Sequence, residues 1–186
     1  MTCGGKEPVS KRVNDYATAE DFCCVFAEGM DELYQLSFLL VADHHKAEQC
    51  FVAGLEDSLK ENHVFKEWAR SWAKRAIIQN AIRELKPRSL ATSFSLAPPP
   101  YVVPLPSYQG RHFEVDAILA LEDFERFVFV MSVLEQYSEH ECSLLLGCPQ
   151  REIREARVRT IARMINSNPT FFPSNVNFET VQELLR

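Results

Sequence analysis

The chain has little of what catalysis or membrane insertion requires. Its 186 residues contain no glycine-rich phosphate loop, no metal-ligand spacing and no nucleophile–base signature, so neither an enzyme nor a bound cofactor or metal is expected. Six cysteines, at 3, 23, 24, 50, 142 and 148, include no C-x-x-C pair. Cys23 and Cys24 beside His44 and His45 match no usual zinc pattern, and reduced thiols are the reading. The longest apolar runs, Leu36–Ala42 and Phe127–Leu134, fall far short of the roughly 20 residues a membrane span needs. The stretch MTCGGKEPVSKR lacks the apolar core of a signal peptide. No membrane insertion and a cytoplasmic location are therefore expected.

What is present is helical periodicity in two blocks. Residues 1–18 read as a loose polar arm. From Ala19 to Val41, Phe22, Phe26, Leu33, Leu36 and Leu40 share one face. Gly29 weakens the middle by about 1 kcal/mol relative to alanine, so a bend or break is expected there. Residues Ala42–His45 read as a polar turn, with a second helix from near Lys46 towards Leu59. A third helix is predicted over Val64–Leu85, with Phe65, Trp68, Ala69, Trp72 and Ala76 on one face. Beside them Lys66, Arg70 and Lys74 form a basic stripe. Burial statistics favour the tryptophans as core residues over base-stacking platforms.

Residues 87–112 hold six of the ten prolines, which predicts an extended, semi-rigid linker between two small helical domains, 19–86 and 113–165. A tail, 166–186, carries turn signals at Asn168–Pro169 and Pro173 and then a short amphipathic pattern from Asn177 to Leu185. The fold class is accordingly all-α.

The most specific pattern runs from Leu121 to Met164. Phe124, Phe127, Val128, Met131 and Leu134 predict one buried helix. Ser138 followed by Glu141 is a capping box, opening a second helix that buries Cys142, Leu145 and Leu146. Gly147 is placed to end it in the left-handed conformation, and Pro149 to open a third. Small Ser143 lies where the two helices must approach, and Ile153 is placed to plug the gap between them. This is the spacing of a helix-turn-helix. The third helix is expected to bury Ile153, Ala156, Thr160, Ile161 and Met164, with Arg157 intruding on that apolar arc.

The charge is unevenly spread. Val64–Lys86 carries six basic and two acidic residues and Pro149–Ile165 five and two, in a chain of net charge −6. Two separated cationic helices are the footprint of contact with nucleic acid at two places. In a recognition helix entering the major groove N-terminus first, Gln150, Arg151, Arg154 and Glu155 suit base edges, whereas Arg159 and Arg163 suit phosphates.

Leu121, Arg126, Val128, Phe129, Leu134, Glu135, Tyr137, Ser138, Glu141, Ser143, Leu145, Leu146, Gly147 and Ile153 make a pattern that resembles the C-terminal DNA-binding region of bacterial RNA polymerase sigma factors. The closest type is the two-domain extracytoplasmic-function group. Leu33–Asp43, Ala47–Leu59 and Phe65–Arg83 resemble that family's N-terminal domain. The resemblance implies a transcription initiation protein with promoter DNA and core RNA polymerase as partners, and an anti-sigma protein as a further partner class. It implies that Lys66, Arg70 and Lys74 touch DNA, and that Glu48, Gln49, Val52 and Ala53 lie on the polymerase-docking helix. That helix has lost most of the family's acidic run, and Arg75 stands near a position where the family commonly has asparagine. A sigma-like adaptor that binds protein partners without initiating transcription is the second expectation.

Overall fold

Thr18 opens the first helix. Its side chain and that of Asp21 form a reciprocal capping box at the start of α1 (Ala19–Glu28). The computed structural model describes residues 16–60, 63–88 and 112–167. The arm before Tyr16, most of the proline-rich linker and the tail beyond Ser167 lie outside the described residues. Residues 16–18, assigned from sequence to a loose arm, are instead docked. The Ala17 N–H donates to the Val64 carbonyl at 2.7 Å, and the Tyr16 ring stacks on Phe65 with centroids 4.9 Å apart.

Among the described residues the structure is helical, apart from an isolated Tyr16–Phe65 bridge. Gly29 separates α1 from α2 (Met30–Val41). The next turn is shorter than the sequence suggested, because Asp43 caps the Lys46 N–H at 2.8 Å and starts α3 at His44, continuing to Leu59. The third predicted helix begins late. Phe65 is extended, Lys66–Trp68 form a 3₁₀ turn, and α4 runs from Ala69 to Leu85.

The buried face of α4 is only partly the predicted one, since Ala69 and Ala76 are buried as expected but Phe65 and both tryptophans are not. Ala69, Ala73, Ala76, Ile77 and Ile78 are buried, whereas Trp68 is 57 % exposed and Trp72 36 %. The cause lies opposite, at Gly54 in α3. A Cβ there would stand 2.7 Å from Ile77 Cγ1 and 3.2 Å from its backbone nitrogen. So close an approach of two helices leaves room only for small side chains at the seam, and the indoles are turned outwards.

The second group comprises α5 (His112–Leu119), α6 (Asp123–Phe129), a π-helical turn (Val130–Leu134), α7 (Glu139–Leu146) and α8 (Gln150–Ser167). The predicted single helix thus becomes α6 plus a π turn, and every residue from Phe124 to Ser132 is buried. One hydrophobic cluster runs through both groups, from Leu33, Leu36 and Leu40 of α2 to Phe127 and Met131 and on to Ile153 and Met164 of α8. Within it Arg126 reaches back across the seam. Its Nε donates to the Leu40 carbonyl at 3.0 Å, and Nη1 donates to the Leu121 carbonyl at 2.8 Å. Helix α2 has no basic residue in its last turn, so a cation from the other group satisfies its C-terminal carbonyl.

Replacing Gly54 by valine should force α3 and α4 apart and destabilise the fold by about 1–3 kcal/mol. An unchanged thermal unfolding midpoint would contradict the close approach.

Candidate nucleic-acid interface

The helix-turn-helix is assembled by short-range chemistry. The Ser138 N–H and Oγ donate to Glu141 Oε2 at 2.8 and 2.7 Å, and the Glu141 N–H returns to Ser138 Oγ at 3.2 Å. The hydrogen bonds from the Ser138 side chain and backbone hold the Glu141 carboxyl below the usual range. Gly147 ends α7 with φ +65°, and a Cβ there would meet nothing within 4 Å. The glycine is needed for its backbone conformation, not for space. Across the turn the Ser143 hydroxyl donates to the Cys148 carbonyl at 2.6 Å and the Cys148 N–H to the Ser143 carbonyl at 3.2 Å. Ile153 fills the angle between α7 and α8 with no exposed surface.

On α8, Ile153, Ala156, Thr160 and Met164 are buried, and Ile161 is half-buried. Arg157 lies half-buried within that arc, and its Nε is a buried donor with no acceptor. Gln150, Arg151, Arg154, Glu155, Arg159 and Arg163 are exposed. Each of the four arginines has a carboxylate partner. Arg151 Nε donates to Glu155 Oε1 at 2.7 Å, one turn along the same helix. That hydrogen bond lowers the Glu155 pKa and raises that of Arg151. Arg154 Nη2 donates to Glu139 Oε2 at 3.1 Å, at the start of α7. Gln150 contacts His140 at 3.0 Å.

The other two arginines are held differently. Arg159 Nε donates to Glu125 Oε1 at 3.3 Å, and Arg163 Nη1 to Glu125 Oε2. Glu125 projects from α6 and is only 1 % exposed. A carboxylate so buried requires compensation, and these two guanidiniums supply it. The role expected for Arg159 and Arg163 was contact with phosphate, and the geometry gives them this internal task as well.

The stripe on the 3₁₀ turn and α4 is likewise paired. Lys66 Nζ lies 3.1 Å from Asp21, and Arg70 pairs with Glu32. The Thr18 backbone and side-chain hydrogen bonds, then Lys66, bring the Asp21 pKa down to about 2. Lys74, 22 % exposed, lies 2.7 Å from both Glu32 and Glu135. Burial depresses the Lys74 pKa, but the hydrogen bonds to Glu135 and Glu32 outweigh it and the net shift is upward. An open groove of about 650 Å³ follows this stripe, walled by Trp68 of the 3₁₀ turn and Trp72 and Arg75 of α4, and by Glu135, Tyr137 and Glu141 on the other side.

The face expected to dock on polymerase is open. Glu48 and Gln49 are exposed, Val52 is 51 % exposed and Ala53 half-buried, while Cys50 and Gly54 face the core. Among the described residues no helix is long and apolar enough to cross a membrane. Cys23 and Cys24 are exposed thiols, whereas burial raises the pKa of Cys50 and of Cys142 to about 11. Comparison with protein-family models gives no match, and comparison with curated proteins gives none either.

Sequence reasoning missed Glu125, Glu135 and Glu139 as partners, and the outward tryptophans. The one available signal was Glu125–Arg126, two opposite charges inside an otherwise apolar run.

The double substitution Arg159→Ala/Arg163→Ala leaves Glu125 buried and unpaired, and should cost about 3–5 kcal/mol in urea unfolding, with part of the loss recovered by adding Glu125→Gln. Arg151→Ala and Arg154→Ala remove only exposed pairs and should each stay within about 1 kcal/mol of the parent. Equal costs at all four positions would refute the division.

Proposed function

We propose that this chain is a sigma-factor-like transcription initiation protein that binds promoter DNA and recruits core RNA polymerase. The observation that carries the reading is the helix-turn-helix itself, with its capping box, left-handed Gly147 and buried Ile153, presenting exposed Gln150, Arg151 and Arg154 on the first two turns of α8. Two further observations support it. The Glu48–Gln49–Val52 face of α3 is free for a partner, and Trp68 and Trp72 stand exposed beside the basic stripe of α4. In this reading Arg151 and Arg154 meet base edges and exchange a weak surface carboxylate for a stronger acceptor. Glu155 is released to accept from cytosine. No catalytic step is involved, and the location is cytoplasmic.

The second reading, an adaptor acting through protein contacts, is favoured by one observation. All seven cations assigned to DNA already have carboxylate partners within the chain. Promoter-dependent transcripts from core polymerase plus this protein separate the two readings. Their absence, with polymerase still bound, would favour the adaptor.

Arg154→Ala should lower affinity for selected duplex DNA by about 1–3 kcal/mol and relax base preference at one position. Binding unchanged in an electrophoretic shift would remove Arg154 from the interface.

A further inference from the structure

We propose that the groove beside Trp68 and Trp72 docks a polyproline segment, and that its occupant is residues 98–101 of this chain, the run PPPY. The inference does not depend on the nucleic-acid reading. The groove, about 650 Å³, has two exposed indoles on one wall and Tyr137 on the other. Aromatic faces in an open channel suit proline rings, and a polyproline helix arrives already ordered, so docking costs little conformational entropy. Arg75 supplies the polar half of the contact. It is half-buried in the groove and has no ion-pair partner among the described residues. Glu141, which also lines the groove, is engaged in capping the Ser138 N–H and hydroxyl. A polyproline backbone offers carbonyls without N–H groups competing for them, which is what a free guanidinium can use.

The path of the chain selects the occupant. Helix α4 lines this groove near its start and a second hollow near its end, where Ile82, Lys86 and Arg88 stand with Leu146 and Gly147. Tyr137 and Glu141 belong to the beginning of α7 and Leu146 to its end, so the two hollows lie along the same pair of helices. Lys86, with φ +49°, ends α4 and turns the chain. From Leu85 back to Trp72 is about 20 Å at 1.5 Å per residue. Residues 88–97 span up to about 31 Å in polyproline geometry, so Pro98 is the first proline after the turn that reaches the indoles with length to spare. Residues 87–111 contain no aspartate or glutamate. The contact is therefore made by rings and carbonyls and should be insensitive to salt, unlike one made by an acidic or nucleic-acid occupant.

Trp68 and Trp72 are the chain's two tryptophans, so intrinsic indole fluorescence reads this groove alone. The test is acrylamide quenching of the full chain carrying Pro98→Ser/Pro99→Ser/Pro100→Ser, with Pro169→Ser/Pro173→Ser in the tail as control. A weak contact held at millimolar effective concentration is populated in roughly half the molecules or more, so the quenching constant should rise about twofold in the triple variant. The control should quench like the parent, and the parent's protection should persist at about 1 M salt. A synthetic peptide of residues 95–106, added to the triple variant, should restore protection saturably. Equal quenching in parent and triple variant overturns the docking. A rise matched by the control reports general loosening and overturns it as well. Protection lost at high salt identifies a charged occupant in place of the proline run. No saturable shielding by the peptide overturns the site itself, whatever the triple variant does to stability.

Discussion

Two adjacent charges on α6, both buried, reach different neighbouring helices and tie the molecule together. Glu125 holds α8 through Arg159 and Arg163, and Arg126 holds the C-terminal end of α2 through the Leu40 carbonyl. Neither charge tolerates the interior alone. Glu125 is met by two guanidiniums from α8. Arg126 is met locally by Asp123 and the Leu121 carbonyl and at long range by the Leu40 carbonyl, and α6 sits where these partners are within reach. The apolar residues of α6 supply most of the burial, but they would accept several rotations of the neighbouring helices. The polar pair accepts far fewer.

That constraint separates the arginines of α8 into two classes that no wheel diagram distinguishes. Arg151 and Arg154 are paired at the surface, where water competes and the net contribution is about 0–1 kcal/mol. Arg159 and Arg163 are also partly exposed, yet they share a partner from which water is excluded. Moving the first pair onto a ligand sacrifices little, whereas moving the second pair strands Glu125. The boundary between them falls within the helix, between its first two turns and its second half.

What the sequence made legible was local. The Ser138–Glu141 box, the glycine that ends α7 and the break at Gly29 all follow from preferences acting within four residues, and each stands where spacing placed it. Ile153 as the plug followed as well, because the three-residue turn Gly147–Pro149 leaves little freedom in the inner angle of the hairpin. Long-range consequences were not legible. Lys74 meets Glu135 from 61 residues away, and Arg163 meets Glu125 from 38. Nothing in periodicity says which of 26 carboxylates a given cation will find. The tryptophans failed for a related reason. Their spacing gave a helical face, but Trp68 falls in the 3₁₀ turn before α4, and α4 turns Ile77 rather than an indole towards Gly54. Propensity gives a helix, and the neighbouring backbone chooses its rotation.

An acidic chain that carries two cationic helices has a surplus of internal competitors for every cation. At net charge −6, carboxylates within the chain pair with these side chains in the absence of a ligand. Phosphate differs from carboxylate in that each contact also releases condensed counterions, a gain that carboxylate partners cannot match. Exposed pairs such as Arg151–Glu155 and Arg154–Glu139 are therefore compatible with a nucleic-acid surface that is quiet until its target arrives. Pairs involving Glu125 are a different matter, because a carboxylate only 1 % exposed has no water to return to unless the helices themselves move. Whether a cation on this protein is available thus depends less on its own exposure than on the burial of the acid it would leave behind.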